Sequence, residues 1–298
     1  MLAFLVCSLL ESSAAVSIFI LLLLLFRKRL SHYSPKSRMA FWWVLAARLL
    51  IPCPVGIVYF GDPREGIAFA APLALIWAIG TVALFSGHLL CYMRFERQMQ
   101  RGLEQCALSE EERLRMERIF AQVKSELGKV EQVDLWISAN ASGPMLLGFL
   151  HPKVVMPDCV LEEKELAMIF RHELLHHRRH DGWYRLFMLL TQSVHWFNPL
   201  VWLMARRAAE DLESACDRSV IQGKDRAFVE DYAQSLLETA KCLLQRKRVH
   251  QTVLVSYMST GAQRLKERLI ALFEPTCLAG GPLFLLLVLL AMLGIYIV

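Results

Sequence analysis

The amino-acid sequence predicts an α-helical integral membrane protein that carries a mainly helical cytoplasmic domain with a small antiparallel sheet. First, 55% of the 298 residues are hydrophobic, and the excess lies in separate blocks. Second, the region between these blocks has apolar residues at helical spacing. Third, three short apolar runs in that region are separated by turn residues, which is typical of short strands. An ordinary soluble domain is less apolar than this chain.

Four apolar blocks approach the roughly 20 residues that a helix needs to cross the hydrocarbon core of a bilayer. They are residues 2–26, 39–60, 67–93 and 282–298. The first block is not a cleavable signal peptide, because its positive charges follow it instead of preceding it. The sequence therefore predicts three N-terminal transmembrane helices (1–93), a cytoplasmic or membrane-embedded domain (94–280) and a C-terminal transmembrane helix (281–298).

The distribution of basic residues predicts the orientation of these spans. Five of them lie between the first and second blocks: Arg27, Lys28, Arg29, Lys36 and Arg38. Because positively charged loops stay in the cytoplasm, both termini are expected outside and the central domain inside the cell. The net charge of +5 suits loops beside anionic lipid. Direct nucleic-acid binding is not expected, since no long basic stripe with interleaved aromatic residues occurs.

The central domain opens with a helix and three short strands. Ser109 followed by Glu112 forms a capping box, so a helix is predicted from there to about Gly128. The predicted strands are residues 133–138, 145–150 and 153–157. We expect them to form an antiparallel sheet.

Helices are predicted for most of the remaining domain. The first covers residues 162–180 and ends at Asp181-Gly182. Residues 183–205 are strongly apolar but broken at Pro199, which favours a buried or membrane-embedded helix pair over a fifth simple span. Further helices are predicted at residues 208–220, 228–244 and 265–273.

The first of these helices contains the motif His172-Glu173-x-x-His176. Residues four apart share one face of a helix, so the two imidazoles can bind one metal ion while Glu173 lies beside them as a candidate base. Imidazole nitrogens suit zinc, and a catalytic zinc keeps one position open. The alternative is a solvated basic helix end with coincidental histidines, since the sequence continues as HHRRH from residue 176.

A catalytic zinc needs a third protein ligand, and the best candidate lies downstream. Glu213 and Asp217 form an E-x-x-x-D pattern on one face of a predicted helix. Glu213 can bind the metal, and Asp217 can accept a hydrogen bond from the distal N–H of a ligand histidine. The helix angle of Cys216 is interpreted as pointing away from Glu213. Glu210 and Asp211 are interpreted as solvated charges.

This residue set predicts hydrolysis assisted by a metal ion. Zinc acidifies water and polarises a carbonyl group. Glu173 is expected to accept the water proton and pass it to the leaving amine, which requires that Glu173 not bind the metal. An extended peptide could add to an exposed edge of the predicted sheet. It is an equally good hypothesis that the strands only cover the motif helix.

The eight cysteines are scattered, and no C-x-x-C pair occurs. Most lie in predicted spans or in the predicted cytoplasmic domain, where thiols stay reduced. We interpret them as small apolar side chains without a catalytic role.

Three stretches together resemble a known family: SGPMLLGFLHPKVVMP, LAMIFRHELLHHRRHDGWYRL and HWFNPLVWLMARRAAEDLESACDRSV. They look like the membrane metallopeptidases of the bacterial beta-lactam sensor–transducer family, the Bla and Mec signal transducers. The resemblance is most specific in residues 171–181, 195–199 and 213–217. It implies a zincin-like domain of the gluzincin type, with His172, His176 and Glu213 as zinc ligands and Glu173 as the catalytic residue.

The resemblance also implies a signalling role. Receptors of this family cleave themselves in the cytoplasmic part and trigger loss of a DNA-binding repressor. A self-cleavage loop is expected at residues 252–261. The receptors continue beyond their last span into an extracellular penicillin-binding sensor, whereas this sequence ends at Val298. We therefore expect a sensorless member or a separate sensor protein as partner, and a homodimer is compatible with the pattern.

Three functions compete at this point. The first is a signalling protease that cuts itself or a cytoplasmic protein such as a transcriptional repressor. The second is a housekeeping membrane metallopeptidase for protein quality control, which would share the motif and a downstream glutamate. The third is a metal-stabilised membrane scaffold without catalysis. The HWFNP stretch favours the first, and the complete set of ligands and base disfavours the third.

Overall fold

The computed structural model describes residues 2–30, 32–51, 63–130, 132–249 and 255–274. In these ranges the chain is mostly helical with one small sheet, as predicted. The chain divides into two compact units. The first comprises Met1–Leu90 and Tyr184–Ala215, and the second comprises Cys91–Trp183 and Cys216–Pro275.

The N-terminal helices are α1 (Leu2–Leu25), α2 (Arg27–Leu30), α3 (Pro35–Leu50) and α4 (Pro63–Arg101). Within the described ranges, two stretches are long and apolar enough to cross a membrane, Ser8–Leu25 of α1 and Pro72–Arg101 of α4. The helix α3 has 16 residues and is shorter than the second predicted span, whose last part lies outside the described residues. The predicted C-terminal span also lies outside them.

The core of the first unit is apolar and joins α1 and α3 to α7 (Asp181–Val194) and α8 (Pro199–Ile221). Ile20, Leu45, Val201 and Met204 are completely buried there. Residues 183–205 thus form a helix pair broken before Pro199, as expected. The helix predicted at 208–220 is not a separate element but the second half of α8. Nothing in this stretch interrupts the backbone hydrogen bonds of a helix, since it lacks proline and glycine.

The turn between α7 and α8 is tied to the N-terminal helices by polar side chains. His195 is completely buried, and its Nε2 lies 3.0 Å from the carbonyl oxygen of Leu49. The Asn198 amide donates to the hydroxyls of Ser13 and Ser17, at 2.8 Å each. Buried polar groups need such partners. The polar residues of the HWFNP stretch therefore have a structural role in this unit.

The neighbouring carboxylates Glu210 and Asp211 have partners within the first unit. Asp211 accepts hydrogen bonds from the Trp42 indole and the Arg38 guanidinium, both at 2.7 Å. Glu210 accepts one from Arg207 at 2.6 Å. Asp211 is more shielded than the solvated charge that the sequence suggested, because it joins α3 to α8.

The second unit contains the remaining elements: α5 (Glu110–Leu127), β1 (Asp134–Ser138), β2 (Met145–Leu147), β3 (Lys153–Pro157), α6 (Glu163–Arg178), α9 (Arg226–Val249) and α10 (Val255–Phe273). The Ser109 side chain caps α5 by accepting from the Glu112 amide at 3.3 Å, as predicted. Phe120 of α5 meets Phe170 of α6 edge to face, with ring centroids 5.1 Å apart. The apolar side of α6 is thereby packed against α5 and the sheet.

The sheet has the order β1-β3-β2 and is mixed, which corrects the predicted antiparallel sheet. β2 pairs with β3 antiparallel, but β1 pairs with β3 parallel. The short turn from β2 to β3 makes those strands antiparallel neighbours, so β1 is left to join the opposite edge of β3. Gly148 starts this turn with φ 92°, and a side chain there would collide with the carbonyl of His151.

A disulfide joins Cys159, which follows the sheet, to Cys242 of α9. Their Cα atoms lie 6.3 Å apart although the residues are 83 positions apart in sequence. This pair differs from the reduced cysteines expected from the sequence. Only the packing of α9 near the sheet brings the two side chains within bonding distance.

Candidate metal centre

The helix α6 carries the predicted metal motif on a buried face. The helix starts with a capping box between Glu162 and Glu165. On this helix, the side chains of His172, Glu173 and His176 are only 5%, 7% and 4% exposed. Their burial excludes the alternative of a solvated basic helix end, because a solvated face would leave them accessible to water.

The two motif histidines point their Nε2 atoms at each other. These atoms lie 3.1 Å apart, and the rings are nearly perpendicular. The four-residue spacing predicted this convergence. A tetrahedral zinc with ligands at 2.0–2.1 Å would hold two nitrogens about 3.3 Å apart, so the observed separation suits one shared ion.

Asp181 holds the second histidine from the far side of its ring. Its Oδ2 lies 2.6 Å from Nδ1 of His176, and Arg179 donates to the other oxygen at 3.3 Å. The chain reaches this position through a sharp turn at His180, which has φ 58° in the left-handed region. Such a turn ends α6 and begins α7 at Asp181, so the carboxylate comes back over the last turn of α6.

The first histidine is held by a tyrosine and an aspartate. The Tyr232 hydroxyl lies 2.7 Å from Nδ1 of His172 and donates to Oδ1 of Asp217 at 2.6 Å. Asp217 also lies 3.3 Å from the same Nδ1. On the other side of Asp217, Arg268 of α10 donates two hydrogen bonds, at 2.9 and 2.7 Å. The predicted partnership of Asp217 with a ligand histidine is therefore mediated largely by Tyr232.

These contacts determine which ring nitrogens carry protons. A carboxylate can only accept, so His176 donates from Nδ1 to Asp181. Tyr232 uses its single proton on Asp217 and must accept from Nδ1 of His172. Both Nε2 atoms then carry a lone pair, and they lie 3.1 Å apart. Two such lone pairs repel unless a cation lies between them, so the residues fit a metal ion.

The thiol of Cys216 completes a group of three side chains that could hold a metal ion in the described part of the second unit. Its Sγ and the ligand nitrogens of His172 and His176 all lie within 4.8 Å of one another. The sequence set Cys216 aside because its helix angle points away from Glu213, but the structure places its sulfur with the two histidines. Positions three apart on a helix are neighbours, so Cys216 was never excluded by its spacing from Glu213.

Glu213 lies on α8 in the first unit. Its Oε1 accepts a hydrogen bond from Arg185 at 2.7 Å, and its side chain is 31% exposed. The structure groups the histidines with Cys216, and the role of Glu213 as a metal ligand stays a prediction.

Glu173 is the buried carboxylate next to the first histidine. Within the described ranges, its side chain makes no hydrogen bond or ion pair, whereas Asp181 and Asp217 are both held by several. A carboxylate that is not engaged elsewhere can accept a proton from a substrate or from water, as a general base must.

Charge and burial shift the pKa values of three groups around the histidines. Burial would raise the pKa of Asp217, but Arg268 and the neighbouring donors hold it below its usual range. Burial and the charge of Asp217 raise the pKa of the Tyr232 hydroxyl well above its usual range. Burial opposes ionisation of Cys216, yet the two histidines lower the pKa of its thiol overall. Asp217 is therefore a charged acceptor and Tyr232 a neutral donor.

Sequence reasoning missed Asp181, Tyr232 and Arg268. Asp181 was read only as a helix stop, although a carboxylate shortly after a ligand histidine is a usual partner for its distal nitrogen. Tyr232 and Arg268 carry no such signal, because they belong to helices far along the chain.

The chain is similar to known proteins over most of its length. A family model described as BlaR1 peptidase M56 matches residues 65–272, which include α6 and every residue named around the histidines. Methicillin resistance mecR1 proteins of Staphylococcus aureus and Staphylococcus epidermidis are each 27% identical over 207 residues, covering 68% of this chain and 34% of theirs. Regulatory protein BlaR1 of Bacillus licheniformis is 26% identical over 154 residues, covering 51% of this chain and 25% of its own.

The chain thus spans about a third of the length of the mecR1 relatives. The family match extends from α4 to the last turn of α10 and covers more than half of the chain. The resemblance stated from the sequence motifs is confirmed, and this chain belongs to the BlaR1 peptidase M56 family.

Proposed function

We propose that this chain is a membrane-bound zinc metalloendopeptidase that acts in signalling. It cuts itself, a cytoplasmic protein such as a transcriptional repressor, or both. The observation that carries the proposal is the convergence of two tautomer-fixed imidazoles, 3.1 Å apart, beside a buried carboxylate that has no other partner among the described residues. This combination suits hydrolysis assisted by a metal better than it suits a purely structural core.

Each residue has a separate role in the proposed reaction. His172 and His176 would hold the zinc through Nε2, and Glu213 would be the third ligand by resemblance to the family motif. Bound zinc supplies an acidified water and polarises the scissile carbonyl. Glu173 accepts the proton and delivers it to the amine that leaves. Asp181 and Tyr232 keep both imidazoles in the tautomer that can bind a cation.

Substrate binding is proposed at the edge strand β2. This strand pairs with β3 along one side and contacts α6. An extended peptide could add to its other side and lie beside the histidines, because backbone groups at a sheet edge are ready to pair. The alternative is that β2 only covers α6.

A signalling role is supported by the relatives' names, which refer to methicillin resistance and to a regulatory protein. We propose a multi-pass location in the cell membrane, with the peptidase site facing the cytoplasm and both termini outside. A separate sensor protein and a second copy of the chain are candidate partners. The expected self-cleavage region, 252–261, lies partly outside the described residues.

Two alternatives remain distinct from this proposal. A protein-quality-control peptidase would cut many unfolded membrane proteins, whereas a signalling enzyme would cut one or few targets. A metal-stabilised scaffold would bind zinc without cutting any. The breadth of the substrate set and the need for Glu173 separate the three.

The test uses the full chain in native membranes with Glu173→Gln. We expect cleavage products, detected by mass spectrometry and quantitative proteomics, to fall by roughly a hundredfold or more. Zinc content of the purified protein should stay unchanged, because Glu173 is not a ligand. Glu163→Gln is the control, since Glu163 is a 61% exposed glutamate on the same helix.

Two results would contradict the proposal. Unchanged cleavage in Glu173→Gln would exclude Glu173 as the base, and a cellular phenotype that survives this change would favour the scaffold. Wild-type protein that contains no zinc and binds none would exclude the metal site itself. Accumulation of many unrelated membrane proteins would favour quality control.

A further inference from the structure

The helix α10 is docked onto the elements that surround the candidate metal centre. Leu272 is buried in a cluster with Cys216, Val220 and Tyr232. The Arg218 side chain donates to the carbonyl oxygens that end α10, at 3.2 and 2.6 Å. Cations at a helix C-terminus are favourable because unpaired carbonyls collect there. This end of α10 therefore has a defined seat in the second unit.

In this position, α10 contributes the charged side chain of Arg268 to the interior of the second unit. Arg268 makes a two-pronged contact with Asp217, Nε to Oδ2 at 2.9 Å and Nη2 to Oδ1 at 2.7 Å. Asp217 is 3% exposed. A buried carboxylate is retained in its charged form only with such a partner. Arg268 thus compensates the negative charge of Asp217.

The effect of Arg268 continues through two hydrogen bonds to the first histidine. A charged Asp217 can only accept, so Tyr232 donates to it and accepts from Nδ1 of His172. The direction of these hydrogen bonds puts the proton of His172 on Nδ1 and its lone pair on Nε2, the atom that faces His176. Tyr232 has no exposed surface, so water cannot replace the hydrogen bond that it provides.

We propose that Arg268 is a positioning residue for His172, acting through Asp217 and Tyr232, and that seating of α10 is therefore required for full zinc affinity. This inference rests on the proposed function, because it assumes that zinc is the ion held by the histidines. It assigns α10 a second role besides packing. Binding of a partner protein, or proteolytic cleavage, that displaces α10 would therefore lower the zinc affinity without acting at the metal centre itself.

The test is a zinc titration of the metal-free full chain in detergent, in competition with a chromophoric chelator. Each variant also carries Glu173→Gln to prevent self-cleavage. Arg268→Gln is expected to lower zinc affinity by about 10- to 100-fold, as is common for partners of metal ligands. Arg268→Lys should recover part of the loss. Arg264→Gln, an exposed arginine one turn earlier on α10, is the matched control and should change nothing.

A double-mutant cycle separates positioning from general support of the fold. Tyr232→Phe keeps the ring but removes the hydroxyl that joins Asp217 to His172, so that only the longer 3.3 Å approach of Asp217 to Nδ1 is left. If Arg268 acts through this link, Arg268→Gln should cost little further affinity in the Tyr232→Phe background. Additive losses would overturn the proposal, as would an Arg268→Gln affinity equal to that of Arg264→Gln. If the protein without these changes does not bind zinc at all, the proposed function fails instead.

Discussion

The carboxylate of Asp181 lies 2.6 Å from Nδ1 of His176, on the side of the ring opposite His172. Both groups are nearly inaccessible to water, with side chains 4% exposed. The contact fixes the tautomer of His176 and raises the basicity of its Nε2. Asp181, which the sequence marks only as the end of a helix, therefore orients His176 for metal binding.

Replacing Asp181 is expected to weaken zinc binding without removing a ligand. Asp181→Ala should lower zinc affinity by about 10- to 100-fold, and Asp181→Asn should lower it less, because the amide oxygen can still accept from Nδ1. Chelator competition on the purified variants measures both. Asp134→Ala, at an exposed position in β1, is the control. Equal affinities in all three variants would show that His176 needs no such partner.

The third protein ligand can be identified with cobalt in place of zinc. Because Glu213 is the proposed third ligand, we expect Glu213→Ala to lower metal affinity by more than tenfold. Arg185→Gln removes one ion-pair partner of Glu213 and should leave the affinity nearly unchanged. Absorption spectra of the cobalt-loaded protein should contain no thiolate charge-transfer band.

Cys216 is the competitor for this position, because its sulfur lies within 4.8 Å of both ligand nitrogens. A thiolate band that disappears in Cys216→Ser would assign the third ligand to Cys216 and not to Glu213. Cys91→Ser serves as the control, since Cys91 is an exposed free cysteine.

Asp211 should matter for stability and not for metal binding. Asp211→Ala leaves the Trp42 indole and the Arg38 guanidinium without their shared acceptor, which is expected to cost about 1–3 kcal/mol of unfolding free energy. The neighbouring Glu210→Gln affects ion pairs on the protein surface and should cost less than about 1 kcal/mol. Thermal unfolding in detergent measures the stability of both variants. An equal loss of stability in both would contradict the structural role given to Asp211.

A glycine in α4 marks a close contact with the HWFNP turn. A Cβ at Gly80 would lie 2.7 Å from the Trp196 ring, whereas a Cβ at Gly87 would meet nothing within 4 Å. Gly80→Ala should therefore destabilise the protein by about 1–3 kcal/mol through overpacking. Gly87→Ala should be neutral or slightly stabilising, because alanine favours the helix. Thermal unfolding midpoints in the opposite order would contradict this packing.

Several local features were predictable from the sequence because they depend on residues close together in the chain. The Ser109 cap needs only the next helical turn, and the convergence of His172 and His176 follows from helical spacing. The break before Pro199 follows from the chemistry of proline. The small sheet shows the limit of such reasoning, since its three strands were predictable but the parallel pairing of β1 with β3 was not.

The sequence by itself determined the family, the metal motif and the candidate base, since each is encoded by residue types at short fixed spacings. Only the tertiary structure decided what holds those residues. Tyr232 and Arg268 come from α9 and α10, and Cys216 joins the histidines because the end of α8, from Cys216 onward, lies beside α6 in the second unit. Such contacts depend on which helix faces pack together, and burial decides that packing across the whole domain.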